Sequence, residues 1–247
     1  MEINICGPGS PGFSRFPGRS QVACSQCALG QLCLPRGLNE KDMESFEQIV
    51  NKSHPIQGGE HICRAGDRFH SIAAVRSGCF KSYVVDQEGN EQVLGFHFPG
   101  EIIGLDAIHT GVHLSNVAAL DTSVVCGMEF SSVSEMARRI PDLQSEIFRM
   151  MSEQISDLEL NSFDLTADQR ISRFLLSLSG RFARRGYSEK EFNLSMSRKD
   201  IASHLRLATE TVSRVLARFQ DSKIIKVNRK NIIILDMPGL NNLAGKL

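Results

Sequence analysis

The chain has 247 residues, 41% of them hydrophobic, and its 28 Lys and Arg are balanced by 28 Asp and Glu, a composition that supports real cores and excludes a disordered or fibrous chain. Seven cysteines are too sparse for a disulfide scaffold and odd in number, which points to reduced thiols or metal ligation. No apolar run of about 18 residues and no charged-then-apolar leader is present, so no membrane span or secretory signal is expected, and the expected compartment is the cytoplasm.

The zero net charge conceals a division along the chain. From Thr166 onward 16 Lys and Arg face 7 Asp and Glu, whereas residues 1–165 carry 12 against 21. Two halves with different partners follow, the basic one suited to nucleic acid.

Residues 1–23 are rich in Gly, Pro, Ser and Arg without apolar periodicity and read as a flexible tail. The next stretch, CSQCALGQLC, places Cys24, Cys27 and Cys33 within ten residues. It reads as a set of metal ligands. From Asn39, an N-cap residue, Met43, Phe46, Ile49 and Val50 recur at helical spacing. Between His54 and Phe130 the period becomes strand-like, in SIAAVRS, CFKSYVV, EQVLGFHF and SVVCGMEF, with Gly-containing turns such as DQEGNE between them. Many short strands without an intervening long helix predict an antiparallel roll or barrel.

After Pro141 the pattern is helical for about 25 residues, longer than the average globular helix. Phe148, Met151, Ile155, Leu158 and Leu165 follow steps of four and three, broken only at Ser162, a seam suited to a two-stranded coiled coil. The same stripe would equally suit packing on the helix's own barrel, and periodicity alone does not separate the two. A further helix, TADQRISRFLLSLSGRFARRG, opens the basic half.

SRKDIASHLRLATETVSRVLARFQ has the spacing of a helix-turn-helix, with Ile201, Ala202, Leu205, Leu207, Val212 and Val215 at the buried positions. Its second helix carries Glu210, Ser213 and Arg214 on one face, near Thr211 and Arg218. Arg can grip the O6 and N7 of guanine, Glu can accept from the N4 of cytosine, and Ser can serve either way. Arg198 and Lys199 at the start of the first helix and Lys230 in the basic tip of IIKVNRKNIIILD suit contacts to phosphate. Arg206 occupies the turn, where positive φ is usual and costs arginine about 1 kcal/mol.

A roll, a long helix and a winged helix-turn-helix, in that order, resemble the cyclic-AMP receptor/Fnr superfamily of transcription regulators. CSQCALGQLCLP, HFPGEIIGLDAI and TETVSRVLARFQ carry a closer resemblance to its oxygen-sensing Fnr branch. The resemblance implies an α+β fold: a cysteine-rich segment and cyclic-nucleotide-binding-like β-roll over 24–140, a dimerisation helix over 141–165, and a winged helix-turn-helix domain over 166–247. It also implies that Cys24, Cys27 and Cys33 combine with Cys126 to hold an oxygen-labile [4Fe–4S] cluster, which promotes homodimerisation and binding to palindromic TTGAT-N4-ATCAA-like sites in double-stranded DNA. Target genes would be raised or repressed with RNA polymerase as partner, for which Arg76, Ser77 and the hairpin around 86–91 are exposed candidates. One departure lies at Leu158, where some Fnr-type regulators carry an acid, while Asp157 sits one step off.

Two regulators of the same superfamily stand as alternatives. Four cysteines also suit structural zinc, although two Cys-x-x-Cys knuckles would be more typical of it. In the cyclic-nucleotide version an Arg-Ser pair holds the phosphate, and here that pair is Leu114-Ser115, which leaves the charge uncompensated. Cys63 and Cys79 read as small core residues, and His97, His109 and His113 as structural histidines. No phosphate-cradling glycine motif, nucleophile elbow or HExxH is present, so no enzyme is expected.

Overall fold

The computed structural model describes residues 23–160 and 165–245, with side chains in the long helix described to Ser156. Cys6, the Leu158 side chain, Ser162 and all but one residue of the expected tail lie outside the described residues. The chain divides into two compact units, one ending at Ser156 and one beginning at Asp157.

The first unit opens with α1 (Glu40–Glu47), whose N-cap Asn39 accepts a hydrogen bond from Asp42 N. Eight strands follow: β1 (Val50–Lys52), β2 (His61–Cys63), β3 (Ser71–Ser77), β4 (Phe80–Val85), β5 (Glu91–His97), β6 (Ile102–Ile103), β7 (Asn116–Ala119) and β8 (Val124–Glu129). They form two antiparallel sheets, ordered β1-β8-β3-β6 and β2-β7-β4-β5. The helix expected to run through Ile49 and Val50 is shorter: it ends at Glu47, and Val50 pairs with Met128 in β1. A β-branched valine does better in a ladder than against a helical turn.

Alternation along β3 sends neighbouring residues to different cores. Ala73 and Val75 join Ile56, Phe80 and Val125 between the sheets. Ile72 and Ala74 join a second core on the other face of the β1-β8-β3-β6 sheet, with Cys24, Leu34, Phe46 and Met128. Two helices complete that second core: α2 (Phe130–Arg139), which periodicity did not reveal, and α3 (Pro141–Leu160). From α3 the core takes Leu143, Ile147 and Met150, and Gln154 Nε2 donates to Ile102 O at 3.3 Å.

The α3 side chains that pack on the roll are therefore not those of the expected seam. Phe148 lies about 100° or more around the helix from Leu143, Ile147 and Met150. It is 61% exposed and Ile155 is 55% exposed, while Met151 is half-buried.

The second unit contains α4 (Ala167–Arg184), β9 (Glu191–Asn193), α5 (Arg198–Leu205), α6 (Thr209–Asp221), β10 (Ile225–Asn228), β11 (Asn231–Ile234) and α7 (Met237–Ala244). Thr166 and Gln169 form a capping box on α4, and Ser197 and Asp200 form one on α5. β11 pairs antiparallel with both β10 and β9, making the expected hairpin the centre of a three-stranded wing.

Candidate metal centre and nucleic-acid interface

The cysteine-rich segment is a run of tight turns. Cys27 N donates to Cys24 O at 3.1 Å, Gly30 N to Cys27 O at 2.9 Å, and Cys33 N to Leu29 O at 3.0 Å. At Gly30 a Cβ would stand 3.3 Å from the Cys27 carbonyl oxygen, so a larger residue would push this turn by a few tenths of an ångström. Leu34, fully buried, anchors the segment's end beside Phe46. Cys126 enters from β8, where it pairs with Lys52 on one side and Ala74 on the other. Alternation past Val125, which points between the sheets, turns Cys126 to the face on which the segment lies.

Cys24, Cys27, Cys33 and Cys126 thus line one cavity, partly open to solvent and walled by Phe46, Val50, Ala74 and Met128. Burial pushes the thiols of Cys24 and Cys33 up to about 12, and the neighbouring cysteines push the same way. Burial also raises Cys126, against a hydrogen bond and a positive charge from Arg76. Thiols in such a place stay protonated unless a cation replaces the proton, and a bound metal does this outright. Among the described residues no group of three or more His, Cys, Asp or Glu converges as a single-ion site. The sulfurs surround a volume.

Cys63 and Cys79 are buried in the roll and do not line this cavity. His113 is buried edge-on against Phe69 at 5.8 Å between ring centroids, and His97 and His109 also lie outside the lining. At the position expected for a cyclic phosphate, Leu114 is 54% exposed. Ser115 Oγ is instead turned to the Asp106 carboxylate at 3.3 Å. An anion there would meet the Asp106 carboxylate. Arg76 was overlooked as a site residue: the sequence offered it with Ser77 as a surface contact, whereas it lines the cysteine cavity and only Ser77 is exposed.

In the second unit, Arg206 closes α5 at φ 54° and ψ 48°, and Leu207 N reaches back to Ala202 O at 2.9 Å. The turn keeps its left-handed residue even without glycine. Ile201, Ala202, Leu205, Val212 and Val215 are buried and Leu207 is half-buried. The opposite face of α6 carries Glu210, Ser213, Arg214 and Arg218 exposed. Ser213 Oγ donates to Thr209 O at 3.0 Å, and Arg214 Nη2 lies 3.4 Å from Thr211 Oγ1, so both side chains rest against their own helix.

The remaining basic residues divide. Lys199 and Lys230 are exposed, and Arg229, with φ 55°, shares the hairpin tip with Lys230. Arg218 is engaged in an ion pair with Asp168 of α4. Arg198 is half-buried, and desolvation lowers its pKa.

Residues 169–243 match the Crp-like helix-turn-helix domain, and residues 54–139 match the cyclic nucleotide-binding domain. The chain is 43% identical to electron transport regulator A of Shewanella oneidensis over 91% of each chain. It is 43% identical to the transcriptional activator protein Anr of Pseudomonas protegens, covering 94% of this chain and 96% of that one. It is 40% identical to the fumarate and nitrate reduction regulatory protein of Escherichia coli K12, covering 92% of each. Among solved structures, FixK2 from Bradyrhizobium japonicum shares the fold with a TM-score of 0.73 at 24% identity, over 81% of this chain and 99% of that one.

Proposed function

Because this chain belongs to the fumarate and nitrate reduction regulators of the Crp/Fnr family, which are DNA-binding transcription regulators and not an enzyme class, we propose that it is an oxygen-responsive member that holds a [4Fe–4S] cluster on Cys24, Cys27, Cys33 and Cys126. The observation that carries this reading is the convergence of those four thiols on one apolar-walled cavity. Four thiolates are what a cubane cluster requires, and Cys-x-x-Cys followed by five residues and a third cysteine is less typical of zinc than two Cys-x-x-Cys knuckles. When bound, the cluster supplies an oxygen-labile cross-link among the four sulfurs.

The chain's own residues relate that cross-link to dimerisation. Cys24 and Leu34 share a hydrophobic core with Leu143 and Met150 of α3. Holding residues 24–33 against β8 completes the surface on which α3 rests and fixes the helix whose outer face carries Phe148, Met151 and Ile155. Two copies pairing along that face would present two reading heads to a palindrome of TTGAT-N4-ATCAA type, where linked heads gain greatly over one. Glu210, Ser213 and Arg214 would read base edges, helped by Thr211, while Lys199 and Lys230 hold phosphates. Arg198 and Arg218 would join them only after leaving their present surroundings. RNA polymerase is the further partner, and the cytoplasm the compartment. Among the described residues no helix is long and apolar enough to cross a membrane.

Purification without oxygen tests the reading. The expected product is a brown protein with about four irons per chain that bleaches in air and loses affinity for the palindromic duplex as it does. A colourless protein containing zinc, or DNA binding unaffected by air, would overturn it.

A further inference from the structure

We propose that Arg76 is the resident counter-ion of the four-cysteine site, a positioning residue whose guanidinium offsets part of the negative charge assembled in the cavity. This rests on the reading of that cavity as an iron–sulfur site, and three observations place the arginine there.

The first is a break in the β3–β8 ladder. Val75 pairs with Val125 and Ser77 with Val124, so Arg76 is the extra residue of a β-bulge, two positions beyond the Ala74 that faces Cys126. A bulge bends the strand and re-aims a side chain, and bulges concentrate beside functional sites. The second is composition: of the described side chains lining the cavity, Arg76 alone is charged. The third is electrostatic: the positive charge of Arg76 acts on Cys126 and on Cys24 in the direction that favours their thiolates, against the desolvation of both.

The other charges near the site explain why one cation is placed so. Lys52, opposite Cys126 on β1, is exposed and does not line the cavity. Glu47 faces Cys24 with the wrong sign. Four thiolates around a cluster core leave a net negative charge, which is costly in apolar surroundings unless a hydrogen-bonded cation accompanies it. Net charge and hydrogen bonds to sulfur also set a cluster's reduction potential. Removing the guanidinium disfavours the reduced, more negative state.

The test compares wild type, Arg76→Gln, Arg76→Lys and Ser77→Ala, all purified without oxygen, by iron content, cluster midpoint potential and the rate of iron loss to a chelator. Arg76→Gln is expected to show a lower midpoint potential and about tenfold faster iron loss. Arg76→Lys should restore most of both, and Ser77→Ala should match wild type. Wild-type potential and iron retention in Arg76→Gln would overturn the proposal. If Arg76→Gln takes up no iron, Arg76→Lys decides: recovery of iron and potential carries the counter-ion role, and a lysine variant equally devoid of iron ends it. A wild type without iron overturns the iron–sulfur reading and this proposal together, a result distinct from any failure confined to the variants.

Discussion

Glu47 Oε1 accepts two hydrogen bonds from Ser25, one from its backbone N at 2.9 Å and one from its Oγ at 3.0 Å. Ser25 follows Cys24 in the first turn of the cysteine segment, and Glu47 is the last residue of α1. One carboxylate thus ties the segment to the helix whose Phe46 walls the cavity.

Glu47→Ala should release that tie. Both groups are exposed, and a hydrogen bond to a charged partner in such a place contributes on the order of 1 kcal/mol. The expected outcome is faster amide hydrogen exchange across residues 24–33 with little change in global unfolding. Ser25→Ala, which keeps the backbone donor, should show a smaller effect. Unchanged exchange in Glu47→Ala would mean that Leu34 and the turns hold the segment without help.

Six of the seven cysteines should separate into two groups by iron content. Alanine at Cys24, Cys27, Cys33 or Cys126 is expected to abolish stable iron incorporation without oxygen. Cys63→Ala and Cys79→Ala should retain iron and lose about 1 kcal/mol of stability to small cavities, read from the denaturant midpoint. Full iron in Cys126→Ala would move the fourth ligand elsewhere.

Arg214 and Lys230 should fail differently on DNA. Arg214→Ala is expected to cost about 1 to 3 kcal/mol, concentrated at one G·C pair of the half-site. Lys230→Ala should weaken all sequences alike and reduce the salt dependence. Binding titrations on wild-type and substituted duplexes at two salt concentrations separate the roles. Undiminished discrimination by Arg214→Ala would remove it from base reading.

The exposed face of α3 makes a prediction that its buried face does not share. Phe148→Glu should leave the fold's stability within about 0.5 kcal/mol, as exposed substitutions do, while shifting anaerobic protein toward monomer in sedimentation. Met150→Ala, cut from the roll-facing core, should instead destabilise by about 2 to 4 kcal/mol. A fully dimeric Phe148→Glu would place the dimer contact away from this face.

Arg206→Gly should stabilise the second unit. Left-handed backbone costs a residue with a Cβ about 1 to 2 kcal/mol, and glycine returns about 0.4 to 1 kcal/mol through its freer unfolded chain. The balance is a gain of up to about 1 kcal/mol, visible as a raised Tm. A lowered Tm would show that the Arg206 side chain contributes more than its backbone costs.

Spacing alone revealed the elements whose signal is local. Asn39 marked a helix start because a cap is a contact within one turn. SIAAVRS marked β3 to the residue, because a short apolar run bounded by polar residues suits a strand buried on both faces. The left-handed turn at Arg206 was legible because helix-turn-helix spacing fixes where the backbone must reverse.

The tertiary structure decided what each face met. The stripe along α3 suited both a partner and the roll, and only packing showed that Leu143, Ile147 and Met150 took the roll while Phe148 and Ile155 stayed exposed. Ile49 and Val50 fitted a helical period until pairing with β8 claimed Val50. Cys126 resembled any half-buried strand residue, since nothing near it in the chain tells that the 24–33 segment lies across β8. Arg76 is the sharpest case: a strand arginine reads as surface, and the bulge that turns it to the cysteines exists only in the register between β3 and β8. Periodicity records that a face is apolar or polar, whereas the partner of that face is set by contacts between residues far apart in the chain.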